Sequence, residues 1–260
     1  MDASAYQSFA RREFSHFWFV GRRRIFVELL RRHLTPRQDA IVLDLGCGVG
    51  GMIESLREFG KVVGTDNDTS SLVHCRRRLD SEFFQSESFE LPLRSESIDV
   101  LCAWDVLEHV PREAEAMAEC FRVLKPGGTC FVSGPSYQFL YTHQDRMVRH
   151  QRRYTVTDLS RRLRNAGFAI DQASYINCFL FPLILVVIGF KKLSEAIRPP
   201  STDESRLNSE IAVPASLNSL FTAVFSAERH VLRRASLPFG HSLVVVGRKP
   251  PKASCAASAT

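Results

Sequence analysis

A chain of 260 residues, 45% hydrophobic and 24% charged, has the composition of an ordinary globular protein and can bury one substantial core with an appended subdomain. The net charge of +6 and pI near 9.1 are mild, and no RNA-binding or zinc-finger signature accompanies the arginine clusters, so nucleic acid is not an expected partner. Seven scattered cysteines without a CxxC pair argue for a reducing cytosol and against a disulfide framework or a zinc site, and no metal is expected.

Residues 1–40 read as an N-terminal helical cap. Their opening lacks the apolar core of a signal peptide, which points to a cytoplasmic protein. The stretch FSHFWFVGRRRIFVELLRRHL puts Ile25 and Leu29 on one helical face, and Pro36 ends it. This helix either packs on a sheet or roofs a site with His16, Phe17, Trp18 and Phe19. From Ile41 to Asp66 the order is apolar run, glycine turn (Gly46-Cys47-Gly48-Val49-Gly50-Gly51), helix-compatible MIESLREF, second apolar run and carboxylate. That is a nucleotide-binding βαβ unit. Gly46, Gly48 and Gly51 satisfy GxGxxG, which leaves an NAD-dependent oxidoreductase open. Asp44, at the carboxyl end of the first strand, tilts the choice: it crowds a pyrophosphate but suits a ligand carrying an ammonium and a sulfonium.

Downstream, the pattern predicts a helix over 69–79 capped by Thr69 or Ser70, and a short strand at Phe83-Phe84. A buried strand follows over 98–104, then a helix opened by Pro111 and a strand over 129–133. A helix over 154–166, a strand near 168–175 and a last strand at 242–249 complete the series. Alternating helices and strands imply a parallel sheet with right-handed crossovers.

The segment VLDLGCGVG resembles the first motif of class I S-adenosylmethionine-dependent methyltransferases. ELPLRSESIDVLCAWDVLEHVP and LKPGG resemble that family's third-to-fourth strand region and the turn before its fifth strand. The resemblance covers roughly residues 40–177. It implies an α/β, Rossmann-like doubly wound sheet of seven strands with the last antiparallel. The implied cofactor is S-adenosylmethionine, leaving as S-adenosylhomocysteine. By this resemblance Asp44, Gly46, Cys47, Gly48, Gly50 and Asp66 hold the donor, with Asp66 on the ribose diol. Glu87, Ser88 and Phe89 meet the adenine, and Asn67 stands where an apolar residue often lies against that ring. Trp104 either faces the sulfonium through cation–π attraction or packs under the following helix. A catalytically silent, methyltransferase-like binding protein is the alternative from a different class.

Methyl transfer from a sulfonium is an in-line displacement governed by positioning, and an oxygen or nitrogen acceptor must also lose a proton. His109, in VLEHV, is a candidate base, or else Glu108 and His109 only pin their loop. YTHQDRMVRHQRRYT resembles the HxRRYT segment of bacterial methyltransferases that modify small molecules and glycans. It contributes His150 as a second catalytic candidate, and His143, Asp145, Arg152, Arg153 and Tyr154 as candidate acceptor contacts. A structural, salt-bridged loop is the other reading.

With 41–177 as the donor-binding core and 241–250 as its last strand, residues 178–240 form an apolar insertion, and 251–260 read as a disordered tail. The run CFLFPLILVVIGFKKL is too short to span a bilayer. A second helix carries Leu217, Leu220, Phe221, Val224, Phe225, Val231 and Leu232 on one stripe. These helices either pack on each other as a lid or lie in an anionic membrane interface, with Lys191, Lys192, Arg233 and Arg234 near headgroups. The overall expectation is O-methylation of a small or lipid-linked acceptor by a cytoplasmic protein, with peripheral attachment to the inner face of the membrane as the option that the interfacial reading of these helices adds.

Overall fold

The computed structural model describes residues 12–197 and 213–252; the polar stretch after Ile197 and the tail expectation beyond 252 lie outside the described residues. Seven strands form one sheet: β1 (Ile41–Leu45), β2 (Lys61–Asp66), β3 (Glu82–Gln85), β4 (Ile98–Trp104), β5 (Leu124–Pro135), β6 (Ala169–Ile176) and β7 (Ser242–Arg248). Their order is β3-β2-β1-β4-β5-β7-β6, and only β7 runs antiparallel to its neighbours β5 and β6. The expected sheet and its antiparallel last strand are both present. β5 begins five residues earlier than expected, because the LKPGG turn pairs through Gly127 and Gly128 with Lys249, and Leu124 lies opposite Ile98.

Helices cover both faces. On one side, α1 (Phe17–His33), the short α2 (Ile53–Leu56) and α3 (Thr69–Arg78) bury Ile25, Phe26, Leu29, Ile53 and Leu72 with Val42, Val100 and Trp104 of the sheet. On the other, α4 (Glu113–Val123) and α6 (Val156–Asn165) pack Met117, Val123, Leu159 and Leu163 against Leu43, Leu101 and Val245. The alternation of sides along β1 and β4 is the period-2 geometry of a strand covered on both faces. Two caps differ from expectation. Asp68, not Thr69 or Ser70, caps α3 by accepting from Ser71 N at 3.0 Å, and α4 starts two residues past Pro111. A carboxylate one residue earlier reaches the same amides and also faces the positive helix end.

The insertion contains α7 (Phe181–Ile197) and α8 (Ala215–Leu232). They do not form the mutual lid expected. α8 instead lies along α1, with Phe225 stacked on Trp18 at 5.5 Å and Phe221 edge-on to Phe17 at 5.3 Å. Asn218 accepts from Phe17 N at 2.8 Å. Gly21 makes this approach feasible, since a Cβ there would stand 2.6 Å from Phe225 Cδ1. α7 carries Pro182 in its first turn, where a missing N–H leaves no helical bond broken. It presents Leu183, Val186, Val187, Phe190 and Leu193 to the outside. Among the described residues no helix is long and apolar enough to cross a membrane.

Candidate active site

β1, β2 and β4 end side by side, and open parallel sheets bind ligands beyond such carboxyl ends. The turn after β1 is held from below: Cys47 N donates to Thr65 O at 2.9 Å, and Gly48 N donates to Asp66 Oδ2 at 2.9 Å. Gly46, Gly48 and Gly50 all have positive φ. A Cβ on Gly46 would strike Val106 at 2.6 Å, whereas one on Gly48 would meet nothing within 4 Å. The turn therefore presses on the protein at one glycine and borders open space at another. Asp44 is only 2% exposed, and burial together with the neighbouring Asp66 pushes its carboxyl up to about 8. Asp66 is raised too, by burial, although the amides of Asp68 and Gly48 counter it.

The expected adenine contacts gather beyond β2 and β3. Asn67 Nδ2 reaches Glu87 Oε2 at 3.5 Å, and Phe89 lies under the Arg112 guanidinium at 4.2 Å, with Ser88 between Glu87 and Phe89. Trp104 is buried and stacks on Phe26 of α1 at 4.0 Å with ring planes 13° apart. That covers one face of the indole with the preceding helix rather than the following one. Residues before and within α1 reach this edge of the sheet. Glu13 pairs with Arg78 at 2.8 Å, and its Oε2 stands 2.5 Å from where a Gly51 Cβ would be. Arg22 of α1 pairs with Asp105, whose left-handed backbone after β4 is held by Ser133. α1 thus packs on the sheet and its Arg22 reaches the end of β4, while Phe17 and Trp18, expected to help roof the site, pack against α8.

Past Asp105 a second cluster forms. Glu108 sits on the turn after β4 with 0% exposure, and neither of its carboxylate oxygens has a hydrogen-bond partner. Its carboxyl is pushed up to about 8 by burial, against the pull of Arg22 and Arg153. The His150 ring stands edge-on to His109 with centroids 4.7 Å apart, and His150 Nε2 lies 4.0 Å from Glu108 Oε1. Burial and His150 drive the His109 imidazole down to about 3, so it stays neutral. α5 (His143–Met147) starts with a capping box, in which Asp145 accepts from Thr142 N at 2.8 Å. Asp145 also accepts from His150 Nδ1 at 2.8 Å and from Arg153 Nε and Nη2 at 2.8 and 3.0 Å. Burial works against its charge, but these donors hold its carboxyl well below the usual range.

The HxRRYT segment is thus drawn inward. Arg153 is bidentate to Asp145, Arg152 pairs with Glu113 at 2.6 Å, and the Tyr154 ring is buried with its N–H on Pro135 O. His143 lies at the start of α5. Sequence reading missed Arg22, Glu13 and Ser133, whose partners are 28 to 83 residues away. It also missed His241, half-buried beside Trp18 with its buried Nδ1 unpartnered. No local pattern marks such residues.

The glycine turn and the buried Asp44 fit S-adenosylmethionine. There is open space against Gly48, and a buried carboxyl that a neighbouring cation would allow to ionise.

Comparison with known proteins agrees. Residues 43–132 match the family model described as a methyltransferase domain. The chain is 32% identical over 160 residues to a Mycolicibacterium smegmatis protein named "Probable S-adenosylmethionine-dependent methyltransferase", covering 60% of this chain and 61% of that one. It is 33% identical over 114 residues to the ubiquinone biosynthesis O-methyltransferase of Nitrosococcus oceani, covering 41% and 48%. The chain thus spans about half to three fifths of the length of these relatives. Among solved structures, an S-adenosylmethionine-dependent methyltransferase from Archaeoglobus fulgidus superposes with a TM-score of 0.55 at 18% identity, covering 87% and 94%. The chain carries a methyltransferase domain within the seven-stranded fold of the class I S-adenosylmethionine-dependent methyltransferase family.

Proposed function

We propose that this chain is an active methyltransferase that O-methylates a lipid-linked or otherwise amphipathic small molecule at an anionic membrane surface. The observation that carries the methyl-transfer reading is the pair of buried carboxyls, Asp44 and Asp66, flanking the glycine turn. When bound, S-adenosylmethionine supplies an electrophilic methyl on a positively charged sulfur. Asp44 stabilises that charge and the donor's ammonium at close range, in a setting of low effective dielectric. Asp66 orients the ribose hydroxyls, and Glu87, Ser88, Phe89 and Asn67 receive the base. Arg22 and Asp105 close the sheet edge and exclude water. His109 and His150 act on the acceptor's proton, with His150 oriented by Asp145. His143, Arg152, Arg153 and Tyr154 shape the acceptor side, Arg152 and Arg153 chiefly by positioning, since their guanidiniums pair with Glu113 and Asp145 within the chain.

The amphipathic acceptor is supported by α7. Its exposed Val186, Val187 and Phe190, the last 70% exposed, are joined by exposed Phe139, Phe179 and Phe239, with Lys191 and Lys192 alongside. Arg233, by contrast, pairs with Glu28 on the α1 side. Oxygen as the methylated atom is supported by the similarity to the ubiquinone biosynthesis O-methyltransferase.

The test supplies methyl-labelled S-adenosylmethionine and a fractionated cell extract to the purified protein. Label should enter the organic phase, and label confined to water-soluble products refutes the amphipathic acceptor. In parallel, the protein should sediment with phosphatidylglycerol-containing vesicles. The double substitution Val187→Lys and Phe190→Lys should release it, and an unchanged pellet refutes the interfacial role of α7.

A further inference from the structure

Glu108, His109 and His150 come from two segments 41 residues apart, yet each offers one ligand atom to a common point, and these atoms lie within 4.8 Å of one another. A catalytic histidine pair does not by itself need a carboxylate buried between its rings. Glu108 is fully buried with both oxygens unpartnered, the most conspicuous polar orphan in this part of the fold. Such a group is destabilising unless something of opposite charge reaches it. Arg22 and Arg153, the nearest cations, are committed to Asp105 and Asp145.

The surroundings are arranged as they are around a metal. His150 Nδ1 is engaged by the Asp145 carboxylate at 2.8 Å, which turns Nε2 toward Glu108. A carboxylate behind an imidazole in this way fixes the tautomer and ring orientation of a ligating histidine. The backbone of Val148 and Arg149 lies beside the His109 ring. Arg149 has the left-handed backbone conformation at this point, φ 62°. Asp145 is itself fixed by Thr142 and Arg153, so the outer layer of the cluster is rigid.

We propose that Glu108, His109 and His150 bind a divalent first-row transition cation that in turn ligates the hydroxyl of the methyl acceptor. Two imidazoles and one carboxylate suit zinc, manganese, iron or cobalt rather than magnesium or calcium, which prefer all-oxygen sites. Three protein ligands leave positions open for water or substrate, the arrangement of catalytic sites. Tetrahedral ligands about 2.1 Å from a shared ion stand about 3.4 Å apart, so the widest separation closes by up to about 1.4 Å on binding. The role deepens the methyl-transfer reading and rests on it. An acceptor hydroxyl bound to the cation gives up its proton to water near neutral pH. The resulting oxygen lone pair attacks the methyl carbon, the carbon–sulfur bond breaks, and its electrons remain on sulfur. His109 and His150 thus act on the proton through the cation.

The test uses full-length protein freed of any affinity tag and of metal by chelation, titrated with Co(II) and Zn(II) by calorimetry and visible absorption. One ion per chain and the ligand-field spectrum of Co(II) bound to nitrogen and oxygen are expected. Glu108→Gln and His150→Gln should each weaken binding at least tenfold. Far-UV circular dichroism checks that each variant is folded. A wild-type chain that takes up neither ion, or variants that fold and bind as tightly as wild type, would overturn the proposal; the wild-type titration decides even if a variant unfolds. S-adenosylhomocysteine binding is measured on the same sample. If it is present while metal binding is absent, the cation site falls and the methyltransferase reading stands. If it is absent, that reading falls instead.

Discussion

Asp44 and Asp66 are both buried at the sheet's edge but are committed differently. Asp66 has each oxygen on a backbone amide, so its position is fixed before any ligand arrives. Asp44 is fixed by its strand, between Gly64 and Cys102, and its carboxyl is held near 8 by burial and by Asp66. A residue in that state favours a positively charged ligand. The difference between substrate and product follows, because the donor's sulfur is charged and the product's is not. Asp44→Asn should weaken S-adenosylmethionine binding by about ten- to a hundredfold, in line with the roughly 1.5–3 kcal/mol typical of hydrogen bonds to charged groups. It should weaken S-adenosylhomocysteine binding less. Calorimetry at pH 8 with both ligands measures the two ratios, and equal losses would place Asp44 away from the sulfur. This residue's position beside the glycine turn was readable in advance because strand, turn and carboxylate are contiguous. The Glu108–His150 meeting was not, since it depends on how far α5 turns the HxRRYT segment back toward β4.

At the scale of elements, the pairing of α1 with α8 decides how the insertion is used. Asn218, Phe221 and Phe225 engage Phe17 and Trp18 across about 200 residues of sequence, and Glu28 meets Arg233 at the far end. Glu228 of α8 is fully buried and accepts from the amides of Asn177 at 2.7 Å and Phe179 at 2.8 Å, so α8 also anchors the chain where it enters α7. Gly21 is the tightest point of the pairing. Gly21→Val would drive a side chain into the Phe225 ring and should cost about 1–3 kcal/mol as overpacking, despite valine's better helix propensity. A thermal melt measures this, and a stability equal to wild type would mean that α8 is not seated on α1. The amphipathic stripe on α8 signalled a buried face, and its residues Phe225 and Leu232 are indeed buried. A stripe does not name its partner, because hydrophobic burial is non-directional, and so the expected mutual lid of the two insertion helices gave way to the α1 contact. The sheet order was more accessible: parallel strands joined by helices have few right-handed solutions, and the motifs at β1, β4 and β5 fixed which one applied.

For the molecule as a whole, buried ionisable groups on both sides of neutrality make stability depend on pH, and their signs can be separated. Asp44 with a native value near 8 and Glu228 near 7 keep protons that the unfolded chain releases at about 4. Between those values the native state holds more protons, so each group removes up to about 1.4 kcal/mol of stability per pH unit as pH rises. His109 and His241, both driven down to about 3 by burial, act oppositely. The unfolded chain protonates these imidazoles below about 6.5 while the native chain does not, so they add stability as pH rises toward that value and nothing beyond it. Asp145, held low, contributes fully above about 4 and is lost only in stronger acid. The contributions therefore oppose one another below about 6.5, and from there to about 8 the carboxyls act alone and stability falls. Comparison with Asp44→Asn cancels every group but one. The unfolding free energy of wild type minus that of the variant should decrease steadily from pH 5 to pH 8, by denaturant titration at constant salt. Saturating S-adenosylmethionine should flatten the wild-type decline, because bound cationic charge favours the ionised Asp44 and binding draws the proton off. A difference between wild type and variant that stays constant across this range would mean that Asp44 is already ionised in the free protein. The donor site would then carry its negative charge before any ligand arrives, and donor binding would release no proton from Asp44.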